Sequence, residues 1–579
     1  MSKKTRQQNF IEGSMVLVIA TMLVKVLGAV YRIFLTNLIG ADGMGYYSTA
    51  YDIYLPIYSI AMSGLPIAVS KIVASAVAEK KYKHARKVMS VSFKTFLITG
   101  IAGSLIMVAL AFIYSSFILN DKDALLPILA ISPCLFFCCI ISAYRGYYEG
   151  LKDMRPTAVS QVIEAAGKLV FGYIFAYVIV KINSTQTSRD LSLAACGALL
   201  GIALGTVFSS GYLIIKYKKQ GDGFTKTDLE NSPLCDSTAK TFKMLMAVAI
   251  PVVLASLVAN ITSLIDVTMV KRQLLNVIEH NPDAIKEQFK AVLATNEVAE
   301  DVVNATDISD FAAKFANSLY GMHRGYVYSI YNLVPVITSV LGVSAIPTLA
   351  SAWAKKDKKE VKDSIDTVVR TTSLIAMPLG IGIISIPYPI LNVLYGSKAP
   401  ETIEIMQHNL RVLGVCAIFC GIVMPLTNML QAIGKQNIPL ITMAIGAAIK
   451  IITNIVLVGN VNINIYGVPY GTTFCYIFIF TANLACLIKY SKIKFDFKSA
   501  LIKPFVSALG CGLAAAGTYY LIRNYISSKI VHVALPIIAA AIIYLILLSI
   551  TNALSENDIK MLPKGDKIVK ILAKLKVIR

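Results

Sequence analysis

Apolar runs of about 20 or more residues, long enough to cross a hydrocarbon core of roughly 30 Å, recur along the whole chain. They fall near 10–38, 46–78, 89–119, 124–149, 155–182, 190–216, 240–271, 317–353, 365–395, 403–433, 437–459, 466–490, 499–525 and 529–553. Segments of this length in lipid must satisfy their own backbone, so they are read as helices. Pro56, Pro66, Pro335 and Pro347 fall inside them, which bundled membrane helices tolerate. At 579 residues the chain would otherwise suggest about four soluble domains. With 56% hydrophobic and 15% charged residues, against about a quarter charged in ordinary globular proteins, it lacks the polar surface for them. The expected fold class is an all-α polytopic membrane protein with 14 transmembrane helices.

The formal charge of +22 would suggest nucleic acid in a soluble chain; here it sorts by topology. With the N-terminus inside, 34 basic residues fall on cytoplasmic segments and 11 on external ones, the asymmetry that orients membrane helices. An even number of spans then puts both termini in the cytoplasm, the C-terminal one on a basic tail, 554–579. Met1 to Asn9 is basic and polar and leads into a long apolar run without an Ala-x-Ala cleavage signature, so an uncleaved first span is expected. The ten cysteines form no CxxC or Cys/His spacing and read as small buried hydrophobes.

Two halves echo one another. Tyr51-x-x-Tyr54-x-Pro56, then Gly64-Leu-Pro66, then a basic run from Lys80, is repeated as Tyr328-x-x-Tyr331, Pro335, Ala345-Ile-Pro347 and a basic run from Lys355. Gly150 to Pro156 leads to Ala165-Ala-Gly-Lys168, and Gly434 to Pro439 leads to Ala447-Ala-Ile-Lys450. Six spans per copy is even, so the copies enter the membrane in the same sense, as two six-helix lobes about a parallel pseudo-two-fold axis with a cavity between them. The expected division is an N-lobe at 1–216, a cytoplasmic linker at 217–243, a C-lobe at 244–490 and two extra spans at 491–553. The external insertion 272–316 reads either as a lid over an opening or as a solvated addition.

Ten basic residues lie within spans: Lys25, Arg32, Lys71, Lys94, Arg145, Lys168, Arg324, Arg370, Arg411 and Lys450. Lys71, Lys94, Arg145 and Arg370 sit near cytoplasmic ends and are expected to snorkel. Lys25 and Arg32, seven apart, share one helix face about 10 Å apart in depth. With Arg324 and Arg411 they would give a cavity favouring an anionic, phosphate-bearing headgroup, although Arg32 has Asp52 as an alternative partner. Glu164 and Lys168 are spaced i, i+4 and are expected to form a structural pair. Lys450, near mid-membrane, is expected to pair with Asp266. No metal spacing, phosphate loop or nucleophile motif is present, so neither an enzyme nor a cofactor is expected.

Lys25-Val-Leu-Gly28 with Arg32, Gly40-Ala-Asp-Gly43, Gly64-Leu-Pro66-Ile-Ala-Val-Ser70-Lys71, and Arg145-Gly-Tyr-Tyr-Glu-Gly150 with Met154-Arg-Pro156-Thr-Ala-Val-Ser160-Gln161 resemble the MurJ/SpoVB family of lipid II flippases, most closely the stage V sporulation protein B and YtgP type. The resemblance covers essentially the whole chain and implies a MATE-like fold in a bacterial plasma membrane. It implies carriage of undecaprenyl-diphosphate-linked peptidoglycan precursor to the outer leaflet by alternating access, for cell wall or spore cortex synthesis. Basic cavity residues on spans 1, 2 and 8 are part of that pattern: Lys25 matches, Arg32 lies one residue off, and Arg324 lies earlier on its helix than the span 8 position. A sodium site of some members corresponds to Asp266 and Asn454, with Lys450 standing at one ligand position.

Three transport readings follow: a lipid II flippase, a flippase for another polyprenyl-linked polysaccharide unit, and a multidrug or cation antiporter. The excess of cations over carboxylates in the first-half cavity favours an anionic lipid-linked substrate. The expected partners are that lipid, the bilayer and the cell-wall synthesis machinery, with no nucleic acid; a separate reading is a non-transporting partner of that machinery, anchored by its cytoplasmic tail.

Overall fold

The computed structural model describes residues 10–183, 187–295, 297–396, 398 and 400–554, which are helical with no strand among them. The basic tail from 555 onward, and residues 1–9, lie outside the described residues. Eleven helices among the described residues are long and apolar enough to cross a membrane. The two expected spans at 10–38 and 46–78 count there as one, because the helix Phe10–Ser59 passes through a kink with a single non-helical residue, Gly40, at φ 66 and ψ −165. That backbone region is essentially open only to glycine. A π-turn, Ile60–Gly64, then leads into the helix Leu65–Ala78.

By its contacts the chain forms two units, Met1–Pro282 with Asn296–Gly321, and Asp283–Thr295 with Met322–Arg579. In the first, glycines set the helix spacing. Gly197, Gly201 and Gly205 stand at intervals of four on the helix Ser188–Gln220, facing Gly167 and Gly172 of the helix Arg155–Ile182. A Cβ on Gly201 would collide with the backbone of Gly172, and one on Gly205 would sit 2.7 Å from the Glu164 carbonyl oxygen. Small residues at this spacing let membrane helices approach where lipid supplies no hydrophobic drive. Gly146 and Gly150 of the helix Pro133–Gly150 do the same against Pro66 and Val73. The helix Thr238–Ile265 also packs here, with the Ala249 carbonyl oxygen where a Cβ on Gly64 would need to be.

The stretch expected to be the linker is docked on this unit. Asp222 takes two hydrogen bonds from Arg86 at 2.6 and 2.9 Å and one from Tyr147 at 3.2 Å, and Ser232 Oγ accepts from the Lys83 amide at 3.0 Å. Burial works against the Asp222 carboxylate, yet the Arg86 guanidinium holds its pKa below the usual carboxylate range. The insertion 272–316 is packed, which corrects the solvated reading: Val302, Phe311 and Phe315 are buried. Asp301 accepts from the amide and hydroxyl of Ser188 and pairs with Lys314 at 3.0 Å, while Asp42 accepts from the Ala299 amide at 2.8 Å. Lys271 is buried and donates to Thr49 and Asn317.

In the second unit, Gly380 and Gly414 bring the helices Lys358–Ser385 and Pro400–Ala432 together. Gly446 and Gly471 do so for Asn437–Val458 and Val468–Ser491. The last two spans pack on the same body: Gly512 faces Ile381, and Tyr544 donates to the Leu374 carbonyl at 2.7 Å. Gln288 of the insertion belongs to this unit and accepts from Asn464 at 2.8 Å. Seven of the ten cysteines are buried, as expected of small apolar side chains, whereas Cys235 in the linker is exposed.

Candidate functional site

Within the first unit the helices Phe10–Ser59, Pro133–Gly150 and Arg155–Ile182, with Met62 and Ile202, line an open-sided cavity of about 470 Å³. Its charged lining consists of Lys25, Arg145, Lys168 and Glu164, three cations against one carboxylate, with Gln161 beside them. Away from water such an excess attracts anions far more strongly than it would in solution. The rings of Tyr31, Tyr51, Tyr54 and Tyr58 form much of the remaining wall.

The charges are held differently from the sequence expectation. Glu164 does not form the expected pair with Lys168. It accepts from Arg145 at 2.9 Å, and Arg145 also donates to Ser160 at 2.8 Å and lies 3.5 Å from Ser209 Oγ. Lys168 instead stands over two tyrosine rings, its Nζ 5.1 Å from the centroid of Tyr31 and 5.1 Å from that of Tyr51. Cation–π contacts of this kind contribute about 0.5–2 kcal/mol each and leave the ammonium its charge. Arg145 is likewise not a snorkelling residue: it is buried, and it lines the cavity. Lys71 and Lys94 are exposed, and Arg370 donates to Ser499 at 3.1 Å.

Lys25 lines this cavity within the first unit. Arg32, two turns further along the same helix, lies with its guanidinium 3.4 Å from Ser48 Oγ, and Asp52 accepts from Tyr320 at 2.7 Å. Arg324 is buried in the second unit, in the π-turn His323–Val327, with its guanidinium carbon 3.9 Å from the Tyr328 ring centroid; Arg411 is exposed on its helix. The structure therefore groups Lys25 with Lys168 and Arg145, a grouping the single-helix reading of the sequence missed. Its one available sign was Glu164, the lone carboxylate facing both cations.

Asp266 is buried at the start of the π-turn Asp266–Val270 in the first unit, and Lys450 and Asn454 are buried on the helix Asn437–Val458 in the second. Among the described residues no group of three or more His, Cys, Asp or Glu could hold a metal ion. Lys450 lies one turn from Asn454 on the same buried face. An ammonium there already supplies the positive charge a bound cation would bring, so this pair does not fit a sodium site.

Residues 10–353 match the family model described as polysaccharide biosynthesis protein, and residues 313–541 match that of the lipid II flippase MurJ. Stage V sporulation protein B of Bacillus subtilis (strain 168) is 23% identical over 564 residues, covering 96% of this chain and 98% of the relative. The lipid II flippase MurJ of the same organism is 24% identical over 457 residues, 77% of each chain. Among solved structures, the inward closed conformation of the lipid II flippase MurJ superposes with a TM-score of 0.58 at 16% identity, over 93% of this chain and 98% of that one. An inward-facing multidrug resistance MATE transporter gives 0.59 at 14% identity, over 82% and 98%. The fold is thus shared with these two transporters, and the chain is a multi-pass helical membrane protein. The match over more than half its length places the chain in the polysaccharide biosynthesis protein family.

Proposed function

We propose that this chain is a flippase that carries lipid II, the undecaprenyl-diphosphate-linked peptidoglycan precursor, from the inner to the outer leaflet by alternating access. The observation that carries the reading is the cavity of the first unit, with Lys25, Lys168 and Arg145 in a membrane-embedded wall. A charge within the membrane costs at least about 2.5–3.5 kcal/mol on insertion scales, and the purpose served here is the binding of an anionic headgroup. Similarity to MurJ and to stage V sporulation protein B supports the same substrate class. The reading includes fourteen spans in two six-span repeats with two further spans, both termini in the cytoplasm, and Arg32, Arg324 and Arg411 as further headgroup contacts. A MATE-like antiporter of organic cations shares the fold, but the cation excess of this cavity would repel its substrate.

The test is complementation. A bacterium depleted of its own lipid II flippase should regain growth and outer-leaflet lipid II when this chain is expressed. Lys25→Ala with Lys168→Ala should abolish rescue while the protein still accumulates in the membrane. Full rescue by that double variant would refute the cavity assignment, and drug resistance without rescue would establish the antiporter instead.

A further inference from the structure

The cations account for an anionic link but not for the tyrosines. Tyr47, Tyr51, Tyr54 and Tyr58 follow one another at intervals of four, three and four, which is a single face of a helix. Their ring centroids are 5.9, 5.9 and 5.2 Å apart, the first pair stacked at 8°. At 1.5 Å per residue the row descends about 16 Å through the membrane. Three of the four rings line the cavity, joined there by Tyr31. The hydroxyls of Tyr54 and Tyr31 are turned into the protein, 3.5 Å from Cys138 Sγ and 3.4 Å from the Ala198 carbonyl oxygen. What these two residues offer the cavity is ring rather than hydroxyl.

We propose that this row is a saccharide track, on which the pyranose rings of the lipid-linked headgroup stack while Lys25 and Lys168 hold its anionic link. A pyranose has an apolar C–H face and a polar rim. The first suits the negative face of an aromatic ring, and the second suits the amide of Gln161, which lines the same cavity. An aliphatic tail would need no aromatic row, and an organic cation would meet Lys168 standing over Tyr51. The second unit carries the same chemistry within itself: Tyr328 and Tyr331 have centroids 5.2 Å apart, and Arg324 covers Tyr328. Both copies of the repeated Tyr-x-x-Tyr therefore combine paired rings with a cation.

The inference rests on the flippase reading and names the part of the substrate that the site sorts. The full chain in nanodiscs is titrated with undecaprenyl diphosphate and with the same lipid bearing a disaccharide. Wild type should bind the glycosylated lipid about tenfold more tightly. Tyr54→Leu and Tyr58→Leu should each lose most of that preference without weakening the sugar-free lipid, and Tyr58→Phe, which keeps the ring, should retain it. Lys25→Gln should weaken both lipids alike. Equal binding of the two lipids by wild type would overturn the track and leave the flippase reading standing, as would leucine variants that keep the preference or weaken both lipids equally. Should a leucine variant not fold, the wild-type ratio decides alone. Failure of wild type to bind either lipid would remove both readings.

Discussion

The ion pair between Arg145 and Glu164 gives the most quantitative test of how the cavity is built. Its side chains are 6% and 22% exposed and 2.9 Å apart. Removing one partner of a buried pair costs about 3–5 kcal/mol, because the other charge is left uncompensated, whereas replacing both with side chains of similar size is often near neutral. Glu164→Gln leaves Arg145 its bond to Ser160 at 2.8 Å, and a hydrogen bond to a charged group is worth about 1.5–3 kcal/mol. The expected loss is therefore at the lower end, about 3 kcal/mol. Arg145→Met leaves Glu164 without its guanidinium, with a similar loss. The double variant should be more stable than the sum of the two singles by about 3 kcal/mol or more, at the top of the range for residues in direct contact. Denaturant unfolding of the purified protein in detergent, followed by circular dichroism, measures all four corners of the cycle. Single losses that add within about 0.5 kcal/mol would refute the pair as a structural element of the cavity.

Gly201→Leu should abolish accumulation of folded protein, because the new side chain must occupy the backbone of Gly172, while Gly211→Leu, where a Cβ meets nothing within 4 Å, should accumulate normally; fluorescence-detected size exclusion reads both. The depressed pKa of Asp222 makes linker docking depend on pH in one direction. The stabilisation is complete above the unfolded carboxylate value of about 3.9 and fades as pH falls towards the lower folded value. Hydrogen exchange of residues 222–232 should accordingly rise below about pH 4 in wild type, and should already be raised at neutral pH in Asp222→Asn. Cys235 is the exposed thiol among ten cysteines, so a membrane-impermeant maleimide should label the chain in opened membranes and not in intact cells; labelling in intact cells would invert the proposed orientation.

The helical membrane fold was legible because it depends on composition along a single strand of sequence: apolar length, basic loops and the position of glycine and proline. Lys25 drew notice for the same reason, since a lone cation at mid-span has no local explanation, and it lines the cavity of the first unit. Arg145, Glu164 and Lys168 were misassigned because i, i+4 spacing is visible in one helix, whereas the competitor came from another. Arg145 approaches across the helix interface that Ser160 and Ser209 also line, and no periodicity reports that approach. The Gly197-x-x-x-Gly201-x-x-x-Gly205 series was present as a signal of close packing and went unread. The insertion 272–316 was judged by its acidic residues, while its structure follows from Val302, Phe311 and Phe315, which turn inward.

Gly40 makes the first two spans a geared pair. With one residue out of helical conformation between Phe10 and Ser59, nothing on either side has slack to absorb a change in chain length. One residue added at 41–44 would turn the following helix by about 100°. The tyrosines would swing off the cavity, while Lys25 and Gly28, on the near side of the joint, would stay where they are. Alignment of cation and ring in this protein is thus a matter of counting residues across a single glycine, and deletions there should be as damaging as loss of the side chains themselves.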